Sequence, residues 1–156
     1  MRKSILSEPA VQAFSPSARE WLDLEKLAGA EISSEDPQHP FENALATGKG
    51  GWKASTPGPQ VIRLNFDHPQ TIQRIRLEFC ESRRERSQEF VLSASSEAGQ
   101  KKEVVRQQWT FSPGGSVCEV EDYVVNLPAV HSLELKIDPG RHDKDAVASL
   151  ESIQIA

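Results

Sequence analysis

Three arginines crowd one short stretch, Glu81-Ser82-Arg83-Arg84-Glu85-Arg86, and guanidinium groups so placed can clamp a carboxylate or phosphate through paired hydrogen bonds. The same cluster on a hairpin also reads as a solvated charge face, where an ion pair contributes less than about 1 kcal/mol. Two more polar runs, Glu35-Asp36-Pro37-Gln38-His39 and Arg141-His142-Asp143-Lys144, carry the planar donors and acceptors that sugar hydroxyls require. Trp52 follows the glycine-rich Gly48–Gly51 segment and precedes Lys53. On a loop its ring can stack on a sugar; inside a fold it fills the core. The candidate ligand-binding residues are therefore Asp36, His39, Trp52, Arg83, Arg86, Arg141 and His142. Trp109, in a strand-like stretch, reads as core.

Templates for catalysis are missing. The chain has no Gly-x-Ser-x-Gly elbow, no His-Glu-x-x-His and no phosphate-binding glycine loop. His39, His68, His131 and His142 have no ligand spacing, and His68 and His131 sit beside turns, as surface residues do. Glu119, Glu121 and Asp122 read as a solvated strand and not as a glycosidase pair. Cys80 and Cys118 are too few for a disulfide framework and lack metal-ligand spacing. They read as free thiols in strands, with one bridge between neighbouring strands as the alternative. The expectation is a protein that is not an enzyme and carries no cofactor.

These side chains need a scaffold, and 156 residues build one ordinary domain. Apolar residues make up 37%, charged residues 26% and aromatics 6%, which suits a globular chain with a modest core. A net charge of −5 argues against nucleic acid, whose binders concentrate positive charge. Met1 to Ala18 has no apolar run long enough for a signal peptide, and no stretch approaches a membrane span, so the expected setting is cytoplasmic.

Residues 1–17 read as a loosely ordered leader and 18–156 as the domain. Ser17-Ala18-Arg19-Glu20 has the form of a capping box, and Trp21, Leu24 and Leu27 fall at helical spacing before Gly29, which predicts a short helix. Trp21 to Leu24 also alternates, as a strand would. From Ala30 onward the period is two. Ile62, Leu64 and Phe66 share one face, as do Ile75, Leu77 and Phe79, then Phe90, Leu92 and Ala94. Val105, Trp109 and Phe111 follow, then Tyr123, Val125 and Leu127, then Leu133, Leu135 and Ile137, then Ile153 and Ile155. Turns are read at Asp67 to Gln70, Ser95 to Gln100, Ser112 to Gly115, Pro128, and Asp138 to Gly140. About eight strands, each polar on one face, predict an all-β antiparallel sandwich, because parallel strands would be buried on both faces and need crossover helices.

The order of several short motifs adds a resemblance. Ser33-Ser34, then Pro40-Phe41-Glu42-Asn43-Ala44, then Trp52 resemble the opening of discoidin or coagulation factor 5/8 type C domains, the galactose-binding-domain-like family. Gln60 to Phe66, Pro69-Gln70-Thr71-Ile72 and Arg74 to Leu77 are similar to that family's strand pair. Ser87 to Gly99 and Ala148 to Ile153 are similar to a later hairpin and the closing strand. The resemblance covers about residues 27–156 and implies an eight-stranded jelly roll that binds carbohydrate, lipid head groups or proteins through loops at one end. It also implies a structural calcium ion. Here, however, the family's acidic turn reads Ala46-Thr47-Gly48, and Glu151 remains as a weak calcium candidate, so no metal is expected. The expected function is a non-catalytic domain whose loops bind carbohydrate. The alternative is an intracellular protein-interaction module that has lost sugar binding. A third reading is an appendage of an enzyme complex.

Overall fold

The computed structural model describes residues 20–96 and 99–156. The leader at 1–17 and the capping residues Ser17 to Arg19 lie outside the described residues. Helix α1 is a single turn, Leu24–Leu27, with Leu24 buried. It is shorter than the sequence predicts because Gly29 does not cap it. Gly29 instead lies in the first strand, opposite Asn65. Trp21 to Asp23 form neither helix nor strand, so the alternation read there does not make a strand; the first strand begins at Ala28.

Eight strands form among the described residues: β1 (Ala28–Ile32), β2 (Trp52–Lys53), β3 (Gln60–Cys80), β4 (Arg86–Ser96), β5 (Lys101–Phe111), β6 (Cys118–Asp138), β7 (Ser149–Leu150) and β8 (Ser152–Ile155). A 3-10 turn, Phe41–Leu45, lies between β1 and β2. All pairings are antiparallel. The strand order is β1-β3-β6-β4-β5, with β8 also on β3, and β2 pairs with β7.

Two of the expected turns are bends within longer strands. β3 runs through Asp67 to Gln70, and its register against β6 shifts between Asn65 and Gln70 and again before Arg74. β6 runs through Pro128 in the same way, and Ala129 there has φ of 51°, a left-handed conformation that only a local irregularity tolerates. Pro69 and Pro128 are exposed at these bends. A proline there costs no internal ladder bond, so the strand continues past it.

The bends create the two leaves of the sandwich. The first halves of β3 and the second half of β6 join β1, β4 and β5 in one leaf. The second half of β3 and the first half of β6 join β8 in the other. Ile62, Leu64, Phe90, Leu92, Leu133 and Leu135 point inward from the first leaf, and Ile75, Leu77, Phe79, Ile153 and Ile155 from the second. Each of these side chains removes apolar area from water at about 25 cal/mol per Å², which holds the leaves together. Phe79 and Phe90 meet across the core with ring centroids 5.0 Å apart. No helix among the described residues is long and apolar enough to cross a membrane.

Cys80 and Cys118 stand directly opposite each other on β3 and β6 and form a disulfide, which corrects the free-thiol reading in favour of its alternative. Glu119 is also corrected. It shares the inner face with Tyr123 and Val125 and is only 1% exposed, whereas Asp122 on the outer face of the same strand is exposed. His131 is half-buried, with its Nε2 sealed from solvent.

Candidate functional site

The termini of the described chain meet at one end of the sandwich, where the Leu22 amide donates to the Ile155 carbonyl. The polar loops gather at the other end. Residues 33–40 are fixed there by Gln60, a buried side chain whose Oε1 accepts from Ser33 Oγ at 2.5 Å and Ser34 Oγ at 2.8 Å. This gives the Ser-Ser pair a structural task. The Ser34 carbonyl accepts from Trp52 Nε1 at 3.0 Å, and Trp52 is 0% exposed. The ring plugs the loop end of the core, so it is no stacking platform. Gly51 makes that position possible: at φ of 70° it leaves room for the backbone of Leu150 and Glu151, with which any Cβ would collide.

The arginine run divides its labour. Arg86 is buried, and its Nε donates to Glu81 at 3.0 Å while Nη1 donates to Gln88 at 2.9 Å and to the Pro139 carbonyl at 2.8 Å. Its guanidinium lies 4.7 Å from the centre of the Phe111 ring. Burial lowers its pKa, against the opposing pull of Glu81. Arg86 is thus a tie between loops 81–85 and 139–148, and it is unavailable to a surface ligand. Arg84 strengthens the tie with an ion pair to Asp143 at 3.3 Å and a bond to the Asp145 carbonyl at 3.1 Å. Arg84 is exposed as well but is engaged in this tie, which leaves Arg83 as the exposed arginine of the run for a ligand.

Two clefts flank this clamp. On one side, Arg83, Lys53, Ser82 and Glu151 line about 330 Å³. Asp36 and His39 adjoin it, because the Asp36 amide donates to the Lys53 carbonyl and the Lys53 amide to the His39 carbonyl. The Asp36 carboxylate accepts from the Gln38 amide and lies 3.2 Å from His39 Nδ1, and both hold its pKa below the usual carboxylate value. On the other side, Ser87, Gln108, Trp109, Thr110, Arg141 and His142 line about 410 Å³. The Arg141 amide donates to the Ser87 carbonyl, which seats that loop against β4.

The structure therefore lines one cleft with Arg83, sets Asp36 and His39 beside it through the backbone of Lys53, and lines the next with Arg141 and His142. It takes Trp52 and Arg86 out of contention. Sequence reasoning missed Trp109 as a cleft residue. Its ring is half-buried on edge strand β5, packs on the core and also lines the second cleft, while its indole Nε1 is buried with no protein acceptor. The polar neighbours Gln107, Gln108 and Thr110 were the available signal of an edge.

For a structural calcium ion the donor set does not fit. Ala46, Thr47 and Gly48 bring no carboxylate, Glu151 shares its cleft with Lys53 and Arg83, and no cluster of three or more metal-ligating side chains exists among the described residues.

No protein-family model matches the sequence, and no curated protein does either. Solved structures do. A family 32 carbohydrate-binding module of C. perfringens NanJ, in complex with galactose, superposes with a TM-score of 0.63 at 14% identity, covering 86% of this chain and 96% of its own. The same type of module from AlyQ, bound to 4,5-unsaturated mannuronic acid, gives 0.63 at 16% identity, covering 88% and 98%. A pectin-binding carbohydrate-binding module gives 0.60 at 18% identity, covering 83% and 89%. With fewer than one residue in five identical, what these likenesses establish is the fold: a galactose-binding-domain-like, or discoidin-like, antiparallel β-sandwich.

Proposed function

We propose that this chain is a non-catalytic carbohydrate-binding domain that takes its ligand at the loop end. The observation that carries the reading is the cleft at Trp109. An aromatic ring there stands beside the planar polar groups of Gln108, Arg141 and His142. The solvent-facing part of this half-buried ring gives a sugar an apolar surface, and the polar groups around it meet its hydroxyls. Structural neighbours whose ligands are galactose and an unsaturated mannuronic acid support the same class. Arg83, with Asp36 and His39, offers a second set of contacts in the adjoining cleft.

The test is an amide NMR titration with galactose and with mannuronate. Saturable shifts at Trp109, Arg141 and His142, lost in Trp109→Ala, are expected. Silence at both clefts with either sugar overturns the reading. The compartment follows from separate chemistry. Disulfides persist where the surroundings oxidise, so we infer such a setting from the Cys80–Cys118 bridge, in place of the cytoplasm expected from the sequence. Alkylation of the chain taken directly from cells should find both thiols blocked; free thiols would return it to the cytoplasm.

A further inference from the structure

The outer face of the five-stranded leaf holds a larger hollow than either loop-end cleft, about 590 Å³, within the range of small-ligand sites. Its construction follows from register. Val61, Lys136, Val91 and Arg106 form one row across β3, β6, β4 and β5. Arg63, Glu134, Ser93 and Glu103 form the next, and Asn65, Ser132, Ser95 and Lys101 the one after. Valine and serine make a low floor in the middle strands, and long charged side chains make the walls.

Three cations converge on one carboxylate of this floor. Glu134, 8% exposed, is shared by Lys101 at 2.8 Å, Arg63 at 3.2 Å and Lys136 at 3.6 Å, so three cations surround one carboxylate. Arg63 also reaches Glu31 at 3.4 Å. The ammonium-bearing side chains of Lys101 and Lys136 stay 43% and 56% exposed, with charge to spare toward solvent. At the opposite side Asp138 and Glu89 line the hollow, with Arg106 and Glu103 between. Glu89 accepts from Arg106 and Gln108 and has Arg141 at 4.0 Å, which places Arg141 on the ridge between this hollow and the Trp109 cleft.

We propose that this sheet face is a second binding site, distinct from the loop end, for a short acidic oligosaccharide lying along the strands. From Glu134, where the two lysines meet, to Asp138 is four residues of strand, about 14 Å, which is room for about three pyranose rings. A sugar carboxylate meets Lys101 and Lys136, the hydroxyls at the other end donate to Glu89 and Asp138, and the apolar faces of the rings rest on Val61 and Val91. The proposal shares carbohydrate as its ligand class with the reading above, but none of these contacts belongs to the loop end.

The experiment titrates the full chain, labelled for amide NMR, with galacturonate, with its trimer and tetramer, and with tetragalactose as the neutral control. Saturable shifts at Val61, Val91 and Ser93 are expected, with affinity rising from monomer to trimer and at least five-fold weaker binding of tetragalactose. Lys101→Ala with Lys136→Ala should weaken the acidic tetramer at least five-fold, and Val91→Trp, which fills the hollow from an outward-facing position, should abolish these shifts. Trp109→Ala should leave them in place. Silent groove amides, equal binding of the neutral tetramer, or unchanged binding by the lysine variant each overturn the proposal. Groove shifts with a silent Trp109 cleft would sink the loop-end reading alone, and the reverse would sink this one alone.

Discussion

Two glutamates on β6, Glu119 and Glu134, are both removed from solvent, at 1% and 8% exposure, yet they live in opposite electrostatic worlds. At Glu134, burial works to raise the pKa, but the hydrogen bonds from Lys101 and Arg63 win and hold it below the usual carboxylate range. At Glu119 no hydrogen-bond donor touches either oxygen, and burial, reinforced by neighbouring Glu121, pushes the pKa up to about 8. Glu134 lies on an outer face where cations on adjacent strands reach it. Glu119 lies on an inner face opposite Phe79, where none does. Burial alone therefore does not decide what a carboxyl contributes; the side chains carried by the paired strands decide it.

The largest way to break this contrast is at the bridge beside Glu119. The Cys80–Cys118 disulfide closes a loop with a sequence separation of 38, and in the chain-entropy view such a closure contributes about 4 kcal/mol. Reduction should lower the denaturation midpoint and strip amide protection from Glu119 to Val125 before it touches Glu134 to Ile137. Uniform loss along β6 would show that its two halves are not separable.

Next in size, Glu119→Gln should stabilise the fold by about 2 kcal/mol at pH 8, because it removes a carboxyl that the folded state cannot ionise cheaply. Glu134→Gln has the opposite sign. It should cost about 1 kcal/mol, since it leaves three cations around a neutral amide. Urea melts of the two variants check both signs, and a loss in Glu119→Gln would mean that its carboxyl has found a partner in solution.

Smaller again is the dependence on pH. A group whose folded pKa is raised contributes stability that is complete below its unfolded pKa and is lost as pH rises through the folded one. Glu119 should therefore erode stability from about pH 4.5 up to about pH 8, at no more than about 1.4 kcal/mol per pH unit. Carboxylates with lowered pKa, Asp122 and Glu134 among them, behave in the reverse sense and lose their contribution as pH falls below the ordinary carboxylate range. Thermal melts should peak near pH 5, and in Glu119→Gln the alkaline decline should flatten. A flat wild-type profile between pH 5 and 8 would place the folded pKa of Glu119 near that of an exposed glutamate.

Much of this was written in the alternation of the chain. The inward faces of Ile62 to Phe66, Ile75 to Phe79 and Leu133 to Ile137 follow from period two, and so does the all-β sandwich. The motif order from Ser33 to Trp52 pointed to the discoidin-like fold. Prolines misled locally: Pro69 and Pro128 read as terminators, whereas both sit at bends inside one strand. Parity also placed Glu119 with Tyr123 and Val125, but its charge outweighed that signal. The site was less legible. Whether an arginine is a tie or a ligand contact depends on which loop lies above it, and local sequence separates neither Arg86 from Arg83 nor the edge position of Trp109 from a core one.

The two bent strands also shape how the chain reaches this structure. In the β3–β6 ladder, Cys80 opposite Cys118 closes the shortest loop and Gln60 opposite Ile137 the longest. Pairing that begins at the cysteines can then zip through the bends one step at a time, so each later contact closes a loop already shortened by the previous one. Topologies dominated by such distant pairings fold in milliseconds to seconds. A chain oxidised before it collapses starts with that first closure already made, and its refolding should be faster than that of the reduced chain.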